Sequence, residues 1–136
     1  MHLMHKRFGV DTWVQNNPDK LEEFLQFRVN FLDEELDETK AAIKAGDVDE
    51  IVDGLIDLIV IAAGTLDSFG VDGARAWNEV HKANMAKEVG VKPSRPNPLG
   101  LPDLVKPVGW KAPSHIGNGG IFSDAVGKVH NKVVKD

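Results

Sequence analysis

The chain has 136 residues, with 16 Lys and Arg against 21 Asp and Glu, no Cys, and a formal net charge of −5. This length predicts a single domain with a buried core, and the absence of Cys excludes disulfides and thiolate metal sites. The acidic balance argues against a nucleic-acid partner. No apolar run is long enough to span a bilayer, and the first residues lack the apolar core of a signal peptide. We therefore expect a soluble cytoplasmic protein with no nucleic-acid or membrane partner.

The first predicted helix runs from about Pro18 to Ala45, since Pro18 suits a first turn and Gly46 a C-terminal stop. At 100° per residue its apolar side chains fall on one side, and Glu35 lies in the middle of that side with Glu38 close by. The helix thus carries two acids on the stripe that should face the core.

A second helix is predicted from about Val48 to Ser68. Apolar residues surround it on all sides, which predicts a buried central helix. Its acids Glu50, Asp53 and Asp57 are spaced i, i+3, i+7 and form one narrow stripe. Gly54 shares this stripe, as does Gly64, and we interpret these small residues as leaving room for a ligand.

A third helix is predicted from about Asp72 to Glu88. One face carries Trp77 and Val80, for which a core position is the simpler interpretation. The same face then carries Asn84 and Lys87, which suit the binding of phosphate oxygens.

Six of the seven prolines lie beyond residue 90, so the segment 91–136 should be mostly loop or extended. We therefore predict a helical core over 1–90 and a Pro/Gly-rich loop and C-terminal arm over 91–136, within the same single domain.

The acids are concentrated in one part of the chain. The segment from Asp33 to Asp57 carries a net charge of −8 and the remainder +3. Carboxylates on core-facing positions need neutralisation, because burying an uncompensated charge is costly. Oxygen-only ligands favour Mg²⁺ or Mn²⁺ over zinc. The pattern therefore predicts a divalent-cation site.

The segment from Glu34 to Glu38, followed by Glu50 to Asp53, resembles the EExxE…ExxD pattern of the all-α nucleotide pyrophosphohydrolases. The blocks FRVNFLDEELDET, DGLIDLIVIAAGT, EVHKANMAK and KPVGWKAP are similar to small MazG-like and phosphoribosyl-ATP pyrophosphohydrolase-like proteins. The resemblance covers about residues 21–113. It implies an all-α helical bundle completed by oligomerisation, as a homodimer or a homotetramer.

The resemblance also implies an activity and a set of site residues. The activity is Mg²⁺-dependent hydrolysis of a nucleoside triphosphate to the monophosphate and pyrophosphate, with Mn²⁺ as a possible substitute. The residues are the metal ligands Glu35, Glu38, Glu50, Asp53 and, from its wheel position, Asp57; the catalytic candidates Glu34, Glu35, Asn84 and Lys87; and the substrate-binding candidates Arg28, Lys106 and Trp110.

Two alternatives stay open at this point. One is phosphoribosyl-ATP as the substrate, and the other is a helical protein that binds a nucleotide or a metal without turning it over. For Trp110, stacking on a base and pinning of its own loop are both compatible with the sequence, and pinning is slightly favoured.

Overall fold

The computed structural model describes residues 2–92 and 97–126, and these are mostly helical. The elements are α1 (His2–Arg7), α2 (Val10–Asn16), a 3-10 turn (Pro18–Lys20), α3 (Leu21–Ala45), α4 (Val48–Ser68), α5 (Gly73–Met85), β1 (Glu88–Gly90) and β2 (Asp103–Val105). The all-α class is confirmed. The described residues form two compact units, one of residues 2–73 with 119–126 and one of 74–92 with 97–118.

Helices α3 and α4 form an antiparallel pair at the centre of the first unit. The turn between them is short because Gly46 adopts a left-handed conformation (φ 71°) that ends α3. Asp47 then caps α4 by accepting a hydrogen bond from the Glu50 N–H at 3.2 Å. The predicted ends of both helices are therefore confirmed, apart from a 3-10 turn that precedes α3.

The two helices approach closely at a glycine of α4. A Cβ added to Gly54 would collide with the Thr39 side chain of α3, and one added to Gly64 would lie 2.8 Å from Nε2 of His5. The expectation that these glycines leave room for a ligand is wrong, because protein side chains already occupy the space.

The end of α4 lies in the best-packed part of the first unit. Phe69 is fully buried and belongs to a core with Val14, Leu21 and Ala125. Its ring stacks on Phe122 with the ring centroids 4.2 Å apart. The N–H of residue 121 donates to the carbonyl of Phe69 at 2.8 Å. The segment 119–126 thus closes this core, which the sequence did not predict.

One face of α4 remains uncovered within the chain. Val52, Leu55, Ile56 and Ile59 are 57%, 51%, 52% and 63% exposed. The single chain therefore does not bury α4 by itself, because α3 and α1 cover only the face that carries the small residues. In the described part of the chain, no single helix is long and apolar enough to cross a membrane. Helices α4 and α5 reach the length and apolar composition of a membrane span only when they are counted together.

The second unit contains most of α5 and a short antiparallel pair of strands. Glu88 pairs with Val105 and Gly90 with Asp103. Helix α5 ends at Met85, three residues before the predicted end, because the chain turns there to enter β1. The remaining loop is tied back by Arg75, whose guanidinium donates to the carbonyl of Ile116 at 2.8 Å.

Candidate metal site

Carboxylates from α3 and α4 meet along one side of the antiparallel pair. Glu35 of α3 is half-buried, and the pKa of its carboxyl is raised, first by desolvation and then by the negative charges of Glu38, Asp57 and Asp53. Three of the five predicted metal ligands, Glu38, Asp53 and Asp57, therefore act electrostatically on a fourth, Glu35. We call these four residues together with Glu50 the α3–α4 acids.

The α3–α4 acids are less buried than predicted. Glu38, Glu50 and Asp53 are exposed, and Glu35 and Asp57 are half-buried. The expectation that all five point into the core is wrong, because α3 and α4 pack through Thr39 and Gly54 and leave the acids beside that contact.

The chemistry of this cluster fits a divalent cation. Among the described residues no Lys, Arg or His forms an ion pair with any of the α3–α4 acids. Desolvation and the neighbouring acids together raise the pKa of Glu35, as expected where carboxylates lie close to one another. Several carboxylate oxygens with no nitrogen or sulfur ligand are the donor set that Mg²⁺ and Mn²⁺ prefer. Glu34, the predicted base, is exposed on α3 next to Glu35.

Arg28 has a packing role that the sequence did not predict. Its Nε donates to Oγ1 of Thr65 and its Nη2 to the carbonyl of Ile61, both at 3.0 Å. Partial burial lowers the pKa of its guanidinium. Two of its donor groups therefore stabilise the α3–α4 contact, and the substrate-binding role of Arg28 stays a prediction.

In the second unit, the catalytic candidate Lys87 and the substrate-binding candidate Lys106 lie beside one aromatic ring. The Nζ atoms of Lys87 and Lys106 lie 5.4 and 4.9 Å from the centroid of Trp110. The indole N–H of Trp110 donates to the carbonyl of Ala83 at 2.7 Å, so the ring pins its loop to α5. Asn84 is exposed near the end of α5. This unit thus holds two ammonium groups beside an aromatic ring of fixed position.

A second group of possible metal ligands was missed. His5, Asp11 and Asp67 each place one ligand atom within 4.8 Å of the others, and within the described ranges this is the one group that meets so tight a limit. Nδ1 of His5 lies 2.9 Å from Oδ2 of Asp67. The two residues are 62 positions apart, so no local sequence signal connects them.

The chemistry of His5 favours packing over metal binding. His5 is 2% exposed, and its Nε2 has no hydrogen-bond partner. With the Nδ1 proton donated to Asp67, Nε2 carries only a lone pair towards Gly64. A metal at Nδ1 would move the proton to Nε2, where no acceptor lies, whereas metal-bound imidazoles normally donate their second N–H. We therefore interpret the His5–Asp67 pair as the contact that docks α1 onto α4.

An all-α chain with carboxylates gathered from two antiparallel helices has the architecture of the all-α nucleotide pyrophosphohydrolases. The family model described as phosphoribosyl-ATP pyrophosphohydrolase matches residues 4–84, and the chain belongs to this family. Its members are pyrophosphohydrolases, which are hydrolases acting on phosphoric anhydrides. Comparisons with curated proteins and with solved structures give no match. The matched range includes the α3–α4 acids and Asn84, whereas Lys87, Lys106 and Trp110 lie beyond it.

Proposed function

We propose that the protein hydrolyses a nucleoside or deoxynucleoside triphosphate to the monophosphate and pyrophosphate with the help of Mg²⁺. One observation carries this proposal: α3 and α4 meet closely at Thr39 and Gly54, next to Glu38 and Asp53 in the chain, and acids of both helices lie near enough to act on Glu35. A cation held between these helices attracts a triphosphate to the place where the carboxylates alone would repel it. Mn²⁺ is a chemically suitable substitute.

The roles of the acids follow from their chemistry. Glu35, Glu38, Glu50, Asp53 and Asp57 hold the metal through carboxylate oxygens. When bound, Mg²⁺ neutralises the triphosphate, polarises the α-phosphorus and lowers the pKa of an attacking water. Glu34 positions this water and accepts its proton, for which an exposed carboxylate beside the metal ligands is suited.

The remaining predicted residues suit contacts with phosphate oxygens. The amide of Asn84 and the ammonium of Lys87 donate to phosphate oxygens, and Lys106 supplies a second ammonium beside Trp110. Neither lysine forms an ion pair with a residue that the structure describes, so both charges are available to an anion. Trp110 holds the two lysines near each other by cation–π contacts.

Phosphoribosyl-ATP is the second candidate substrate, because the matching family model carries that description. It contains the same phosphoric anhydride, so the same acids would serve. Binding of a nucleotide without turnover is the alternative outside the enzyme class.

We also propose that a homodimer or a homotetramer is the working form. Val52, Leu55, Ile56 and Ile59 expose an apolar face on α4, and such faces are typical of protein–protein contacts. A cytoplasmic location, with a small-molecule nucleotide as the ligand and neither nucleic acid nor membrane as a partner, completes the proposal.

The test is a panel of ribo- and deoxyribonucleoside triphosphates and phosphoribosyl-ATP, each with Mg²⁺ or Mn²⁺, in which monophosphate and pyrophosphate are both measured. We expect pyrophosphate from at least one compound, and loss of activity in Glu38→Gln and Asp53→Asn. Asp37→Asn is the matched control, because Asp37 is an exposed neighbour of Glu38 outside the cluster. Full turnover by Glu38→Gln and Asp53→Asn would refute the assignment, and tight binding without product would favour the non-catalytic alternative.

A further inference from the structure

Trp77 is the most unexpected side chain of α5. The sequence pattern places it in a core, but in the structure it is 72% exposed. The core prediction is therefore wrong, because α5 buries only Ala83 completely. An exposed indole presents a large flat apolar surface that gains free energy when another flat group covers it.

The indole borders a recess with polar walls. Trp77, Val80, His81 and Asn84 line a recess of about 140 Å³. The side chains of His81 and Asn84 are exposed, and neither makes a hydrogen bond to any residue in the described part of the chain. An amide and an imidazole each offer both a donor and an acceptor. The recess therefore combines a stacking surface with groups that can pair with the edge of a heterocycle.

We propose that the Trp77 recess is the base-recognition site for the nucleotide, with the base stacked on the indole and its edge hydrogen-bonded by His81. This inference rests on the proposed function for its ligand class and adds the part of the site that senses the base. A purely apolar protein partner would leave the polar groups of His81 and Asn84 unpaired on burial, whereas a nucleotide satisfies them.

The spacing along the helix agrees with this assignment. Asn84 lies seven residues after Trp77, which is about 10 Å along a helix axis, and Lys87 follows three residues later. A base on Trp77 therefore leaves Asn84 at the far end of the recess, where its amide can meet the phosphates, and Lys87 follows just beyond the end of α5.

The experiment measures binding without turnover. The probes are the α,β-methylene analogues of the four ribonucleoside triphosphates, which resist cleavage at the proposed bond, and inorganic tripolyphosphate, which has no base. Calorimetric titrations with Mg²⁺ compare the wild type with Trp77→Ala, Trp77→Phe and Met85→Ala. Met85 is the matched control, since it is also 72% exposed on α5 but lies outside the recess.

We expect Trp77→Ala to raise the dissociation constant of at least one nucleotide analogue about 5- to 150-fold, the range for loss of one base–aromatic stack. Trp77→Phe should retain most of the affinity, and Met85→Ala all of it. Binding of tripolyphosphate should be unchanged in every variant.

Three results would overturn the inference. These are wild-type affinity for the analogues in Trp77→Ala, an equal loss of tripolyphosphate binding, and no analogue binding by the wild type. Sedimentation velocity on the same samples adds a fourth, since a smaller assembly in Trp77→Ala would show that a second copy covers the indole.

Failure of the proposed function can be distinguished from failure of this inference. Trp77-dependent binding without pyrophosphate release from natural nucleotides would support the base site and refute only the hydrolysis.

Discussion

Replacing Gly54 with Ala tests the close approach of α3 and α4 that brings the acids together. The new Cβ would clash with Oγ1 of Thr39 and would crowd the Cβ of Thr39, so the structure must shift to accept it. Overpacking of this kind costs about 1–3 kcal/mol, and the gain in helix propensity from Gly to Ala offsets about 1 kcal/mol of it. We therefore expect a net loss of up to about 2 kcal/mol of unfolding free energy.

The assay is a double-mutant cycle with Thr39→Ala, measured by guanidinium denaturation at one fixed protein concentration. Thr39→Ala removes the hydroxyl that meets the new methyl group, so in that background Gly54→Ala should be neutral or stabilising by up to about 1 kcal/mol. The coupling free energy should be about 1–3 kcal/mol. The reasoning is refuted if Gly54→Ala changes the stability equally in both backgrounds.

Three further predictions concern stability. Arg28→Met should cost about 1–3 kcal/mol, because methionine has no N–H to donate to Thr65 and Ile61; an unchanged denaturation midpoint would contradict this. Phe69→Ala should cost about 3–5 kcal/mol by loss of a fully buried stacked ring, and a cost below 1 kcal/mol would show that the site collapses or that the ring is not buried. In EDTA, the free energy of unfolding should fall as the pH rises from the ordinary carboxyl pKa towards the raised pKa of Glu35, because the folded state then holds more protons than the unfolded chain. Glu35→Gln should make this dependence of stability on pH less steep. An unchanged pH dependence in Glu35→Gln would refute the role of Glu35.

The sequence carries enough local information for the central helix pair and for the composition of the acid cluster. The stop at Gly46 and the cap at Asp47 depend on residues next to them, so their positions are predictable and confirmed. The helical period also places Glu35 and Glu38 on one stripe, and Asp53 with Asp57 on another. The structure brings these two stripes within electrostatic range.

The sequence could not show which segments that are distant along the chain contact one another. A helical wheel identifies a stripe of residues but not what the stripe contacts. The wheel therefore predicts free space beside Gly54, whereas the side chain of Thr39 occupies that space. The same reason explains the His5–Asp67 contact and the stack of Phe69 on Phe122. Apolar character alone also did not distinguish a core side chain from an exposed one, as Trp77 shows.

The central claim is that a divalent cation binds the α3–α4 acids, and titration with Mn²⁺ followed by electron paramagnetic resonance tests it most directly. The samples are the wild type, Glu35→Gln, Asp53→Asn, the control Asp37→Asn, and Asp11→Asn from the group around His5. Our account predicts that Glu35→Gln and Asp53→Asn weaken Mn²⁺ binding at least about tenfold, and that Asp37→Asn and Asp11→Asn leave it unchanged. Loss of binding in Asp11→Asn with wild-type binding in Glu35→Gln and Asp53→Asn would contradict the account and move the metal to His5, Asp11 and Asp67.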